Sequence, residues 1–293
     1  MTKNIIQRLL VFMLGVPLFI VLVVYASFGR NLILAMLVIA VQILCAGEAS
    51  ALFAVKKIKV NKFYITTLSV SAAVILYLSP ILSGLFPSRP SSLEMLIAVA
   101  MLGSLASIAP FAFAKAGSFD TILSEMAASL FVFFYCGILG SFLMYIATCL
   151  RQLAEPVFTF TLMTFGNDSL AWLIGMTLGK KRGIVAVSPG KSAAGFIGGF
   201  AGSVIAAFIA YLLFPHSGFG RPAAILFLGL LMGVSVILGD LVESALKRSA
   251  GVKDSSTLVP GRGGFLDSFD SLLFSAPIFA LFSAFLGFFA PLA

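Results

Sequence analysis

The stretch PAAILFLGLLMGVSVILGDLVESA, residues 222–245, carries no charge before Asp240. As a helix rising 1.5 Å per residue it would run about 36 Å, longer than the roughly 30 Å hydrocarbon core of a bilayer. Eight further apolar runs are long enough to span: 9–28, 32–54, 64–86, 92–114, 121–149, 156–178, 193–214 and 269–291. None alternates at period two over the short segments expected of an outer-membrane barrel. The expected fold class is therefore all-α, a polytopic integral membrane protein with about nine transmembrane helices.

Composition agrees. Of 293 residues, 60% are hydrophobic and 10% charged, against about 25% charged in an average soluble domain. A soluble globule would leave much of this apolar surface in water, and disorder or a disulfide scaffold is excluded as well. Cys45, Cys136 and Cys149 contain no CxxC pair, so neither a zinc site nor a disulfide framework is indicated. His216, the single histidine, reads as a loop residue. The first run follows Lys3 and Arg8 but exceeds a signal-peptide core and lacks a small-x-small cleavage site, so it reads as a retained helix.

The net charge of +8 is distributed as a topology signal rather than as a nucleic-acid footprint. With a cytoplasmic N-terminus and nine alternating helices, all but four of the 19 lysines and arginines fall on the cytoplasmic side. The exceptions are Arg30, Arg89, Arg151 and Arg221, and the uncharged C-terminal tail ends outside.

Polar residues invade the later runs. Asp168 lies midway along FTLMTFGNDSLAWLIGMTLG, residues 160–179, flanked by Asn167 and Ser169. An intramembrane carboxylate needs water, protein or a cation beside it, which makes a functional role the default expectation. After Lys180, Lys181 and Arg182, the segment Ser188-Pro189-Gly190-Lys191-Ser192 places hydroxyls, a flexible glycine and a cation just before a helix, whose N-terminal NH groups favour anions. Gly195, Gly198, Gly199 and Gly202 form two GxxxG spacings, expected to serve close helix packing.

The densest constellation is GDLVESALKRSAGVKDSSTLVPGRGGFLDSFDS, residues 239–271, which holds five of the chain's 11 acidic residues. Asp240, Ser244, Lys247 and Arg248 share one helical face with Glu243 alongside. Lys253, Asp254 and the turn Pro260-Gly261-Arg262-Gly263-Gly264 follow, then Asp267 and Asp270 as the last run begins. Carboxylates from two helices suit a hard divalent cation that bridges phosphates. The neighbouring cations and backbone NH groups suit the phosphates themselves.

These residues resemble the phosphatidate cytidylyltransferase (CDP-diacylglycerol synthase) family, whose signature runs approximately S-x-x-K-R-x4-K-D-x5-P-G-H-G-G-x-x-D-R-x-D. Ser244, Lys247, Arg248, Lys253, Asp254, Pro260, Gly261, Gly263, Gly264, Asp267 and Asp270 match it with spacing preserved. A second block, an aspartate-bearing helix followed by S-P-x-K-[ST]-x-x-G, is matched by Asp168, Ser188, Pro189, Lys191, Ser192 and Gly195. Glu48 resembles a glutamate near the end of the family's second helix. The chain departs from the pattern at Arg262 (histidine in the signature), Ser268 (arginine), and Ala193 and Ala194. The resemblance covers about residues 165–275.

The resemblance implies transfer of a cytidylyl group from CTP to phosphatidic acid, giving CDP-diacylglycerol and pyrophosphate in phospholipid biosynthesis. It implies a membrane enzyme using Mg²⁺, with or without a second cation. Its expected partners are CTP, phosphatidic acid and membrane lipids, with no nucleic acid; pairing with a second copy is left open. Residues 1–150 are then about five N-terminal transmembrane helices, and 151–293 a catalytic region of about four helices with polar cytoplasmic loops. Asp240, Lys247, Arg248, Lys253, Asp254, Asp267 and Asp270 carry the catalytic expectation. Asp168, Ser188, Lys191, Ser192, Ser244, Gly263 and Gly264 carry binding, and Asp240 and Asp267 hold the metal, with Asp168 or Asp270 as candidates to join them. A bacterial inner membrane with the site at the cytoplasmic face is expected. A cytidylyltransferase or CTP-dependent kinase for another lipid, or a polytopic transporter, are the alternatives.

Overall fold

A computed structural model describes residues 18–23, 28–85, 87–88, 90–114, 119–150, 154–215, 217, 219–220, 222–259, 261 and 263–289. The readings of Lys3, Arg8, Arg89, Lys115, Arg151, His216, Arg221, Pro260 and Arg262, and most of run 9–28, lie outside these residues. Among the described residues eight main helices follow one another: α1 (Phe28–Val55), α2 (Lys62–Tyr77), α3 (Ser92–Ile108), α4 (Phe119–Thr148), α5 (Ala154–Leu178), α6 (Ala193–Leu213), α7 (Pro222–Ala250) and α8 (Leu266–Phe285). Among the described residues there is no strand, only two isolated bridges. The protein is an all-α polytopic membrane protein.

Among the described residues, six of the eight helices are long and apolar enough to cross a bilayer, which does not confirm the expected count of nine. At 16 residues α2 is short, although Ser79–Ser83 extends it beyond Leu78. Helix α5 has the length, at 25 residues, but carries Asn167, Asp168 and Ser169 at its middle. Outward faces are apolar: Met101, Leu102 and Leu105 on α3, Trp172 and Met176 on α5, and Ile197 and Leu212 on α6 are all exposed. A helix that is apolar on its outer face as well as its inner one is suited to lipid.

The GxxxG glycines do what their spacing suggests. A β-carbon on Gly202 would lie 2.2 Å from the carbonyl oxygen of Gly166, and one on Gly195 would lie 3.4 Å from Cα of Gly175. Small residues on both helices let α5 and α6 meet backbone to backbone. Asn167, expected to add polarity beside Asp168, is a structural tie. Its buried amide donates to Ser203 Oγ at 3.1 Å on α6 and to the Gly233 carbonyl at 3.2 Å on α7.

Helix α8 joins two apolar cores. Leu272, Ala276 and Phe279 enter one with Met144, Phe160, Met163 and Met232. Leu266 and Leu273 enter the other with Cys45, Ile65, Phe133 and Tyr135. Both cores draw on residues from either side of position 150.

One end of the bundle gathers the C-terminal ends of α1, α5 and α7 and the starts of α6 and α8. Glu48 near the end of α1 reaches Leu266 at the start of α8, and Arg248 near the end of α7 reaches the loop between α5 and α6. The polar residues singled out in the sequence collect here.

Candidate active site

Gly239 sets the site by letting α7 and α8 touch. A β-carbon there would lie 2.8 Å from Phe274 Cβ and 3.1 Å from the Asp270 carbonyl oxygen. This approach brings Asp240 and Glu243, one turn apart on α7, against Asp270 on α8. Each of these three carboxylates offers an oxygen within 4.8 Å of the other two. Glu243 is 1% exposed and Asp270 7%, while the side chain of Asp240 is 36% exposed and opens the group outward.

Two ammonium groups flank the carboxylates. Lys191 pairs with Asp240, and its nitrogen lies 5.5 Å from the centre of the Phe196 ring. Lys247 stands 2.7 Å from Glu243 Oε2 and 2.7 Å from Asp267 Oδ1. Burial pushes the Lys191 ammonium below the usual lysine range, and the carboxylates of Asp270, Asp168 and Glu243 pull it partly back.

Asp267 sits differently from the expectation that it holds a metal with Asp240. Its Oδ2 accepts hydrogen bonds from the backbone NH of Gly264 at 2.6 Å and of Ser255 at 3.0 Å, and its Oδ1 faces Lys247. Asp240 groups with Glu243 and Asp270, whereas Asp267 is engaged by donors of the loop before α8 and by Lys247, which also contacts Glu243. Glu243 was noted in the sequence but given no role. Its signal was present, at i+3 from Asp240 and i−4 from Lys247.

The donor set fits a divalent cation. All its atoms are carboxylate oxygens, the ligands hard cations prefer. Glu243 Oε1 is buried and has no hydrogen-bond partner among the described residues. A buried carboxylate oxygen left unpaired is unfavourable unless a cation or donor meets it.

Beside the carboxylates lies a cleft of about 410 Å³ between α5, α6, α7 and the loop preceding α6. Asp168, Arg182, Lys191 and Asp240 give it charge, and Trp172 and Met176 form an apolar lip. The loop closes on itself through Gly183 NH to the Pro189 carbonyl at 3.0 Å and Ala193 NH to the Lys181 carbonyl at 3.3 Å.

The remaining expectations divide. Ser192 lines the cleft, but its hydroxyl caps α6 by accepting from Gly195 NH at 3.1 Å. Ser188 is half-buried in the turn before it, and its carbonyl accepts from Lys191 NH at 3.1 Å. Arg248 turns away from the carboxylates, its Nε donating to the Val187 carbonyl at 3.4 Å. Lys253 and Asp254 are exposed in the loop after α7, and Ser244 is buried. Gly263 and Gly264 shape the entry to α8: Gly263 has φ +102°, and a β-carbon on Gly264 would lie 2.0 Å from Ser255 Oγ and 2.4 Å from Glu48 Oε2. Ser268, where the family signature has arginine, donates its hydroxyl back to the Gly264 carbonyl at 3.1 Å.

One end of this membrane-spanning α-bundle thus concentrates acidic oxygens, ammonium groups and an adjoining cleft. The sequence model described as the cytidylyltransferase family matches residues 6–286, and the chain belongs to that family. A protein of Escherichia coli described as uncharacterized protein YnbB is 44% identical over 121 residues, 41% of this chain and 39% of that protein. A Haemophilus influenzae protein named phosphatidate cytidylyltransferase is 40% identical over 124 residues, covering 41% of this chain and 43% of its own. A Bacillus subtilis protein of the same name is 39% identical over 135 residues, 43% of this chain and 48% of its own. The matched stretches thus span under half the length of these relatives.

Proposed function

We propose that this chain is a phosphatidate cytidylyltransferase of a bacterial inner membrane, transferring CMP from CTP to phosphatidic acid at the cytoplasmic face. The observation that carries this reading is the meeting of Asp240, Glu243 and Asp270 beside the charged cleft. Membership of the cytidylyltransferase family and the names of the curated relatives support the choice of CTP and phosphatidate as substrates.

Asp240, Glu243 and Asp270 would hold Mg²⁺. The ion, when bound, supplies positive charge against the departing pyrophosphate and alignment for in-line displacement. Lys191 and Arg182 line the cleft where they offset the repulsion between two anionic substrates. Lys247 pairs with Glu243 and Asp267 and holds the two side chains in place. Arg248 and Lys253, exposed at the same end, add to the field that draws anions.

In the reaction, an oxygen of the lipid phosphate forms a bond to the α-phosphorus of CTP. The bond from that phosphorus to the bridging oxygen breaks, and its electron pair leaves with pyrophosphate. A phosphate monoester, with a second pKa of about 6, is largely ionised at neutral pH, so no side chain has to remove a proton from it. Phosphatidate, with its acyl chains in the bilayer, would approach past the apolar lip of Trp172 and Met176, and CTP from the cytosol.

The test is turnover by purified protein in liposomes containing phosphatidate, with CTP and Mg²⁺. Pyrophosphate and CDP-diacylglycerol are expected in equal amounts. Release of CDP without pyrophosphate would make the protein a CTP-dependent lipid kinase. No turnover beside an active control enzyme would reject the catalytic reading.

A further inference from the structure

Glu48 lies in a helix of the other half of the chain, yet its carboxylate is fully engaged at the start of α8. Its Oε2 accepts from the Ser255 hydroxyl at 2.8 Å and the Leu266 NH at 2.8 Å. Its Oε1 accepts from the Ser256 hydroxyl at 2.6 Å and the Phe265 NH at 3.1 Å. The residue is 6% exposed. The first NH groups of any helix lack partners within it, and Phe265, at the cap position of α8, offers no side-chain acceptor. Glu48 supplies the missing cap from α1, with its negative charge at the positive end of the helix dipole.

The same loop is held from its other side by Asp267, which takes the NH groups of Ser255 and Gly264. Asp267 in turn holds Lys247, and Lys247 holds Glu243. Helix α8 also carries Asp270, one turn beyond Asp267. A continuous chain of polar contacts therefore runs from Glu48 through Ser255, Asp267 and Lys247 to Glu243 of the three-carboxylate group.

We propose that Glu48 is a positioning residue for the active site: by capping α8 from α1 it fixes the height and rotation at which Asp267 and Asp270 face Asp240 and Glu243. The inference rests on the reading of that group as the cation-holding centre. Glutamine at position 48 offers one acceptor oxygen and an amide group that meets donors with donors. It would lose the bond to one backbone NH of α8, the serine hydroxyl beside it turning to accept from the amide, and so loosen the loop.

The experiment compares wild type with Glu48→Gln, Glu48→Asp and Ser256→Ala in lipid nanodiscs. It reads Mn²⁺ binding by electron paramagnetic resonance, hydrogen exchange of residues 255–270, and kcat with KM for CTP and for phosphatidate. Loss of an outer-shell contact typically weakens metal binding or activity 10–100-fold, so Glu48→Gln is expected to weaken Mn²⁺ binding about 10-fold or more. Exchange should rise within 255–270 alone, kcat should fall with the phosphatidate KM unchanged, and Glu48→Asp should recover part of each effect. A Glu48→Gln protein that melts earlier but keeps wild-type Mn²⁺ affinity and kcat would overturn the proposal and leave Glu48 a residue of stability only. Should Glu48→Gln fail to accumulate, wild-type values in both Glu48→Asp and Ser256→Ala would overturn it equally. Wild-type protein that turns over no CTP would reject the proposed reaction, while exchange and Mn²⁺ binding would still judge Glu48.

Discussion

The ammonium of Lys247 is bound by Asp267, 2.7 Å from its Oδ1, and this contact ties α7 to α8 at the mouth of the site. The same nitrogen lies 2.7 Å from Glu243 Oε2, so one cation compensates two carboxylates whose side chains are 1% and 6% exposed. Lys247→Met would leave both without a counter-charge. Removing one partner of a buried ion pair typically destabilises by about 3–5 kcal/mol, so a clear fall in thermal midpoint is expected together with loss of turnover. A midpoint within error of wild type would show that the two acids do not depend on this lysine.

Asp270 and Asp267 stand one helical turn apart but do different work. Asp270 belongs to the carboxylate group, and Asp267 is occupied by Lys247 and two backbone NH groups. Glu243→Gln and Asp270→Asn are expected to raise the Mg²⁺ concentration for half-maximal rate by about 10-fold or more, and Asp267→Asn to raise it less while lowering kcat. A Mg²⁺ titration of the three variants checks the order. Asp267→Asn showing the largest shift would return Asp267 to the inner set.

How far the sequence foretold this site is clearest on α7. At about 100° per residue, Glu243, Lys247, Asp240, Ser244 and Arg248 fan across one broad face in that angular order. Which edge of the fan meets another helix is decided by tertiary packing at Gly239, and packing chose the Glu243 edge, leaving Arg248 to the outer loop. Spacing fixes a face but not the neighbour it meets, so the grouping of Glu243 and Asp270 with Asp240 was not legible from the sequence. Glu48 was harder to read because its four donors lie more than 200 positions along the chain, beyond any local pattern. The membrane helices and their glycine contact, by contrast, follow from run length and small-residue spacing, and both were legible.

Gly264 and Gly190 make opposite demands although both lie in loops near the site. A β-carbon on Gly264 would meet Ser255 Oγ at 2.0 Å and Glu48 Oε2 at 2.4 Å, whereas one on Gly190 would meet nothing within 4 Å. Gly264→Ala must push apart the contacts that start α8, a change of the overpacking kind that typically destabilises by about 1–3 kcal/mol. Gly190→Ala is expected to leave the thermal midpoint unchanged. Equal midpoints for the two variants would mean that the loop before α8 yields freely.

Lys191 is the cation placed between the cleft and the carboxylates, lining the one and pairing with Asp240 of the other. A triphosphate bound in the cleft would take this ammonium as a charged donor, and hydrogen bonds to charged groups contribute about 1.5–3 kcal/mol. Lys191→Met should therefore raise the KM for CTP by roughly 10- to 150-fold. The KM for phosphatidate should change little, because the apolar lip that would meet the lipid is formed by Trp172 and Met176. Steady-state kinetics with each substrate varied in turn separate the two effects. A rise confined to the phosphatidate KM would exchange the positions assigned to nucleotide and lipid, placing the lipid phosphate at Lys191 and moving CTP out of the cleft.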